Sequence, residues 1–173
     1  MGKAFADRWG VPVQSDGAEA VARLDEAIED LAALAGNPVA DAEAAVAADD
    51  SLLLGHIYRA YLALYGTTPE GVAMAGEIVK KLDEAVLGVR EAHHLRAARS
   101  WADGDWEGTV RSLERALLCH PRDLTLIAAA ARAGDDSLAR ALVTERVARK
   151  PSTEASARQL VTENGGSADA LRW

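Results

Sequence analysis

Gly104-Asp105-Trp106-Glu107-Gly108-Thr109-Val110-Arg111-Ser112-Leu113-Glu114-Arg115-Ala116-Leu117-Leu118-Cys119-His120-Pro121 is the stretch from which the architecture can be read. Gly104-Asp105 turns the chain. Trp106 opens a helix over 106–119. Leu113, Ala116 and Leu117 recur on one face of it, and His120-Pro121 stops it. The pattern returns thirty residues on, as Gly134, Asp135, Ala139, Val143 and Pro151. Five positions recurring in type at one offset signal an internal repeat. Upstream, Ala45-Val46 and Asp50 read as the end of an earlier unit.

Outward from this unit the chain reads as helix, short turn, helix. Asp16 with Glu19 three residues on suggests a capping box. Val21, Leu24, Ile28, Leu31 and Leu34 then form one apolar stripe, and Gly36-Asn37-Pro38 ends it. Helices are expected over about 38–48, 52–65, 69–86, 90–103 and 122–132, with further ones at 135–149 and 152–163. The 52–65 helix is apolar nearly all round, which marks a buried helix. Thr68-Pro69 starts the next, with Thr68 as N-cap and Pro69 at the first helical position. Residues 1–15 read as irregular because Gly10 and Pro12 interrupt any helix.

Composition agrees. The chain has 173 residues, of which about a fifth are alanine and only 5% aromatic, and this favours helix over sheet. The net charge is −8, which disfavours nucleic-acid binding. The charge is uneven: residues 1–89 carry −9 and residues 90–173 carry +1. No apolar run is long enough for a membrane span. The single cysteine, Cys119, fits a reducing compartment, so a cytoplasmic location is expected.

Gly104, Asp105, Trp106, Leu113, Ala116, Leu117 and Pro121 resemble the signature of a tetratricopeptide-repeat unit, with Thr109 where alanine is usual. Asp7-Arg8-Trp9-Gly10-Val11-Pro12, Ala47-Ala48-Asp49-Asp50 with Gly55-His56, and Arg90-Glu91 through Trp101 are similar to the N-terminal part of the tetratricopeptide repeat protein 38-like family. The resemblance implies an all-α fold, a tetratricopeptide-like α-solenoid of about three to four antiparallel hairpins. One helical-repeat domain would span 1–173. It would comprise an irregular segment 1–15, helix pairs at 16–50 and 52–86, the best-matching unit at 90–121, a shortened unit at 122–151 and a C-terminal cap or tail at 152–173. Gly104, Asp105, Trp106, Ala116, Pro121, Gly134, Ala139 and Pro151 would be its structural positions.

The first helix of each such pair lines a concave face. That register places Glu91, His94 and Trp101, with Tyr61 and Tyr65 from the preceding unit, in an aromatic, apolar groove. Leu54, Ile57, Tyr61 and Leu64 equally suit a face covered by the N-terminal helices, and Trp101 is evenly poised between groove and core. An apolar or amphipathic helix is the expected ligand of such a groove.

Signals for chemistry are sparse. Glu91 and His94 have the Glu-x-x-His spacing of di-iron bundles, but no second such pair is present. Adjacent His93 and His94 point about 100° apart on a helix. Cys119 beside His120 is not a zinc set, and no phosphate-binding or nucleophile motif occurs. No catalytic residue, metal or cofactor is therefore expected. The leading expectation is a non-catalytic module that binds another protein or peptide, with no nucleic acid or membrane partner. Self-assembly through the C-terminal residues Leu160, Val161, Leu171 and Trp173 is the alternative. An enzyme or small-molecule binder with a helical pocket is the third possibility.

Overall fold

The computed structural model describes residues 3–133. Among them the chain forms a two-stranded hairpin, β1 (Lys3–Ala6) and β2 (Pro12–Ser15), followed by seven helices. These are α1 (Ala18–Ala33), α2 (Pro38–Ala48), α3 (Leu53–Tyr65), α4 (Pro69–Lys81), α5 (Val89–Ala102), α6 (Trp106–Cys119) and α7 (Leu124–Ala133). The all-α reading therefore holds for the body of the chain, and no described helix is long and apolar enough to cross a membrane. Gly134, Ala139 and Pro151 lie outside the described residues, as do the C-terminal cap and most of the shortened unit.

Residues 3–15 form a strand hairpin rather than the irregular segment expected. Lys3 pairs with Ser15 and Ala6 with Pro12 in antiparallel register. Val11, Val13 and Ser15 are buried, alternating with exposed Pro12 and half-buried Gln14. That is a two-residue period, with proline tolerated at the first position of the strand.

Local chemistry explains several helix starts. Asn37 caps α2 by accepting from Ala40 N (3.2 Å), with Pro38 at the first helical position. Thr68 caps α4 by accepting from Gly71 N (3.1 Å). Gly104 turns the chain at φ +74°, a conformation that favours glycine. Asp105 then caps α6, accepting from Gly108 N at 2.8 Å. The expected capping box at Asp16 does not form. Helix α1 begins at Ala18 with no side-chain cap, and the Asp16 backbone N–H donates to Asp49 instead. Helix α4 stops at Lys81 rather than near residue 86, and Val86 projects into solvent.

The helices pack as α1 on α2, α3 on α4 and α5 on α6, with α2 on α3, and α3 and α4 on α5. Helix α7 packs on α6 and also reaches α1 and α3. Eight of its ten residues are buried, from Leu124 to Ala131. Helices α3 and α7 contribute to both core clusters. Leu54, Tyr58, Leu124 and Ala128 join the hairpin and α1, whereas Ile57, Tyr61, Leu126 and Ile127 join α4, α5 and α6. Two tyrosines of α3 tie neighbours together: Tyr58 Oη donates to Ala27 O (3.0 Å) on α1, and Tyr61 Oη to His94 O (3.1 Å) on α5.

Among the anticipated repeat positions, Ala116 is fully buried. Trp106 is 53% exposed and lies against buried Trp101, with ring centres 5.6 Å apart.

Candidate functional site

Four of the five residues anticipated in a groove, Tyr61, Tyr65, His94 and Trp101, come together, whereas Glu91 turns to the β-hairpin and accepts from Gln14 N. Tyr61 and Tyr65 stack with ring centres 6.2 Å apart. Trp101 lies 6.4 Å from Tyr61 and 5.8 Å from Tyr65, and His94 meets the edge of Tyr61 at 5.8 Å. All of Tyr61, Tyr65, Glu91, His94 and Trp101 are buried, so the aromatic face is interior rather than an open groove. Helix α7 contributes to its covering. Arg132 donates to Tyr65 O (2.9 Å) and sets its guanidinium over the Tyr65 ring at 5.6 Å.

Beside this face lies a buried ionic network. Helix α5 presents Arg90, Glu91 and His94 on its buried side, the first and last one turn apart. Arg90 donates through Nε to Asp123 Oδ2 at 2.6 Å and pairs through Nη2 with Asp7 Oδ2 at 2.9 Å. His94 Nε2 donates to the same Asp123 oxygen at 2.9 Å. The ionised carboxylate can only accept, which assigns that proton to Nε2. Arg90 also reaches Pro12 O (3.3 Å), and Glu91 accepts from Gln14 N (3.1 Å), so α5 holds the β-hairpin on two sides.

Local hydrogen bonds preset each carboxylate. Asp7 Oδ1 accepts from Trp9 N and Val11 N at 2.9 and 2.8 Å, which fixes the hairpin loop. Asp123 Oδ1 accepts from Thr125 N and Leu126 N at 3.1 and 3.3 Å, so Asp123 also caps α7. One residue thus starts α7 and binds it to α5.

Burial alone would raise the Asp123 pKa, but the adjacent charges of Arg90 and His94 hold it well below the usual carboxylate range. Burial would likewise lower that of Arg90, and the carboxylates of Asp123, Asp7 and Glu91 outweigh it. Asp25, which accepts from Arg8 N at 2.7 Å, is the opposite case: burial pushes its carboxyl up to about 6.

Asp25 supplies a prediction. An acid whose folded pKa lies above its unfolded value of ~3.9 weakens the fold as pH rises through the interval between the two. Asp25→Asn is therefore expected to stabilise the protein by about 1–2 kcal/mol at pH 7.5 and by much less at pH 4. Thermal melts at the two pH values check it, and an equal effect at both would refute it.

Two further histidines face each other. His93 and His120 have ring centres 6.0 Å apart, and burial comes first in lowering both their pKa values. Among the described residues no group of three or more His, Cys, Asp or Glu could hold a metal ion. A cleft of about 290 Å³ opens beside the network, lined by residues that include Pro12, Gln14, Val89, Glu91 and His120. The polar atoms of Arg90 and Glu91 are largely spent on protein partners, so the network works as a clamp between the hairpin, α5 and α7.

Sequence reasoning did not single out Asp7, Asp25, Arg90 or Asp123 as buried, partnered charges. A signal was present. Arg90, Glu91 and His94 continue the stripe of Leu95, Ala98 and Trp101, so charged groups sit where a core face is due and must find partners inside. Two stretches that carry the family resemblance, Asp7–Pro12 and Arg90-Glu91, meet in space at this ion pair. Comparison with protein-family models, curated proteins and solved structures finds no match.

Proposed function

We propose that the chain is a non-catalytic interaction module, a tetratricopeptide-like stack of helix hairpins that binds an apolar or amphipathic peptide or helix of another protein. With the aromatic face interior, this reading puts the binding surface at the groove between α2, α3 and α4. One observation carries this reading. Val39 and Met74 are 51% and 56% exposed, and together with Leu62 and Ala63 they border a groove of about 120 Å³. Exposed apolar residues around a groove mark a contact surface, and methionine adapts to varied partners. Glu43 and Arg59, 3.9 Å apart, stand at the same groove and offer both signs of charge to an amphipathic ligand. The lone, exposed Cys119 suits the reducing cytoplasm for such a module.

Met74→Glu tests the reading. The residue is exposed, so the variant is expected to melt within about 0.5 kcal/mol of the parent. A partner captured from extract of the source organism by the parent, and lost by Met74→Glu at equal stability, supports the groove. Identical captured proteins for both baits overturn it. A concentration-dependent mass that disappears in Met74→Glu favours self-assembly through this surface.

A further inference from the structure

The α5–α6 hairpin carries a second polar cluster, separate from the Arg90 network. Arg96 and Ser100 lie one turn apart on α5. Gly108, Arg111, Ser112 and Arg115 form one stripe on α6, at helical spacings of three and four. The two stripes border a cavity of about 150 Å³. The three arginines are exposed, the two serines half-buried, and Gly108 is buried. Gly108 permits the close approach: a Cβ there would lie 3.0 Å from the Ser100 hydroxyl oxygen and nearer still to the Asp105 carboxylate.

The cluster has unspent positive charge. Arg111 pairs with Glu107 at 3.2 Å, both well exposed, a kind of pair that screening weakens. Arg99, on the same helix as Arg96, is taken up by Asp83. Among the described residues neither Arg96 nor Arg115 has a carboxylate in ion-pair range. After burial and the charge on His120, the charge on Arg96 contributes to holding the nearby His93 pKa down, and Arg115 adds to it. This is a local positive field on a chain of net charge −8.

We infer that this cleft is an anion site that takes a single phosphate-monoester group. Two unpaired guanidinium groups balance a charge of about −1.5 to −2 on a phosphoryl group. Guanidinium forks match its oxygens in pairs, and the two serine hydroxyls supply neutral donors for the remainder. The cleft is small, so it suits one compact group rather than an extended chain. A polyanion such as RNA, or an anionic bilayer, would meet the −9 carried by residues 1–89 beyond the cleft. The group comes either from a phosphorylated side chain of a protein segment or from a small phosphorylated molecule.

The test is a titration of the full chain with inorganic phosphate at low ionic strength, followed by amide chemical shifts, with potassium chloride at matched ionic strength as the reference. Saturable shifts at Arg96, Ser100, Gly108 and Arg111 to Arg115, absent with chloride, are expected. Arg96→Gln with Arg115→Gln should weaken phosphate binding at least ~10-fold, the scale of one or two charge-assisted hydrogen bonds. Arg23→Gln, on α1, should leave it unchanged. Melting curves of all three proteins should coincide, because the substituted side chains are exposed. A phosphoserine peptide, its unphosphorylated form and a sugar monophosphate then separate the sources. Preference for the phosphopeptide over the sugar assigns the site to a protein partner, the reverse preference to a small molecule, and both sustain it. Shifts equal to those in chloride overturn the inference. So does binding that persists unchanged in the double variant, or tighter binding to RNA or phosphatidylserine vesicles that phosphate does not displace.

Discussion

Arg90→Met is expected to destabilise the protein by about 3–5 kcal/mol at pH 7, the usual cost of removing one partner from a buried ion pair. The guanidinium is the only cation in contact with both Asp7 and Asp123 among the described residues. Methionine fills much of its volume, so the loss reports charge rather than a cavity. Both carboxylates are nearly inaccessible and neither can reach water without opening the hairpin or releasing the start of α7. The pH dependence separates this account from a packing account. In the parent, the depressed Asp123 pKa gives stability that is present above the unfolded value and is lost as pH falls through the folded one. In the variant the same carboxylates are buried without the guanidinium, with His94 alone remaining beside Asp123 among the described residues, so protonation relieves them. The gap between parent and variant should therefore narrow between pH 7 and pH 4. Denaturant unfolding at both values measures it, and a gap that stays constant would show that Arg90 acts by packing alone.

The same ion network shows where the sequence is opaque. Local signals carried the hairpins well. Asn37-Pro38, Thr68-Pro69 and Gly104-Asp105 each act within four residues, so caps and turns can be read without knowing what packs nearby. Asp16 looked equally competent, yet its backbone bonds to Asp49, thirty-three residues away, and tertiary structure displaced the local motif. Leu82 and Val86 continued the apolar stripe of α4, but only Leu82 finds core to cover it. The β-hairpin escaped because four-residue strands carry little periodicity and Gly10 and Pro12 look like breakers. Asp7 and Arg90 are 83 positions apart, and nothing local distinguishes a buried ion pair from two solvated charges. The aromatic residues were legible as a group, since Tyr61, Tyr65, His94 and Trp101 do meet. Their burial was not, because it depends on how the remaining helices close over α3 and α5.

Ala116→Arg is the second large effect, expected to cost more than ~2 kcal/mol and on the order of 4. Ala116 is wholly inaccessible and belongs to the core with Leu113 and Leu117, one face of α6 set between α5 and α7. Alanine there keeps the helices close. An arginine must either push the helices apart or bury an unpaired charge, and both are expensive. Two companions isolate the cause. Ala116→Gly should cost about 2 kcal/mol, the helix-propensity difference plus the buried methyl group. Glu114→Arg, two residues away and exposed, should fall within about 0.5 kcal/mol of the parent although it adds the same side chain. If Ala116→Arg melted with Glu114→Arg, the face of α6 would be assigned wrongly, and the stripe of Gly108, Arg111, Ser112 and Arg115 would turn with it. The register of this one helix thus governs both the seam that holds α6 to α5 and the side on which its arginines gather. A stability measurement at Ala116 therefore tests the placement of a cleft that Ala116 does not touch.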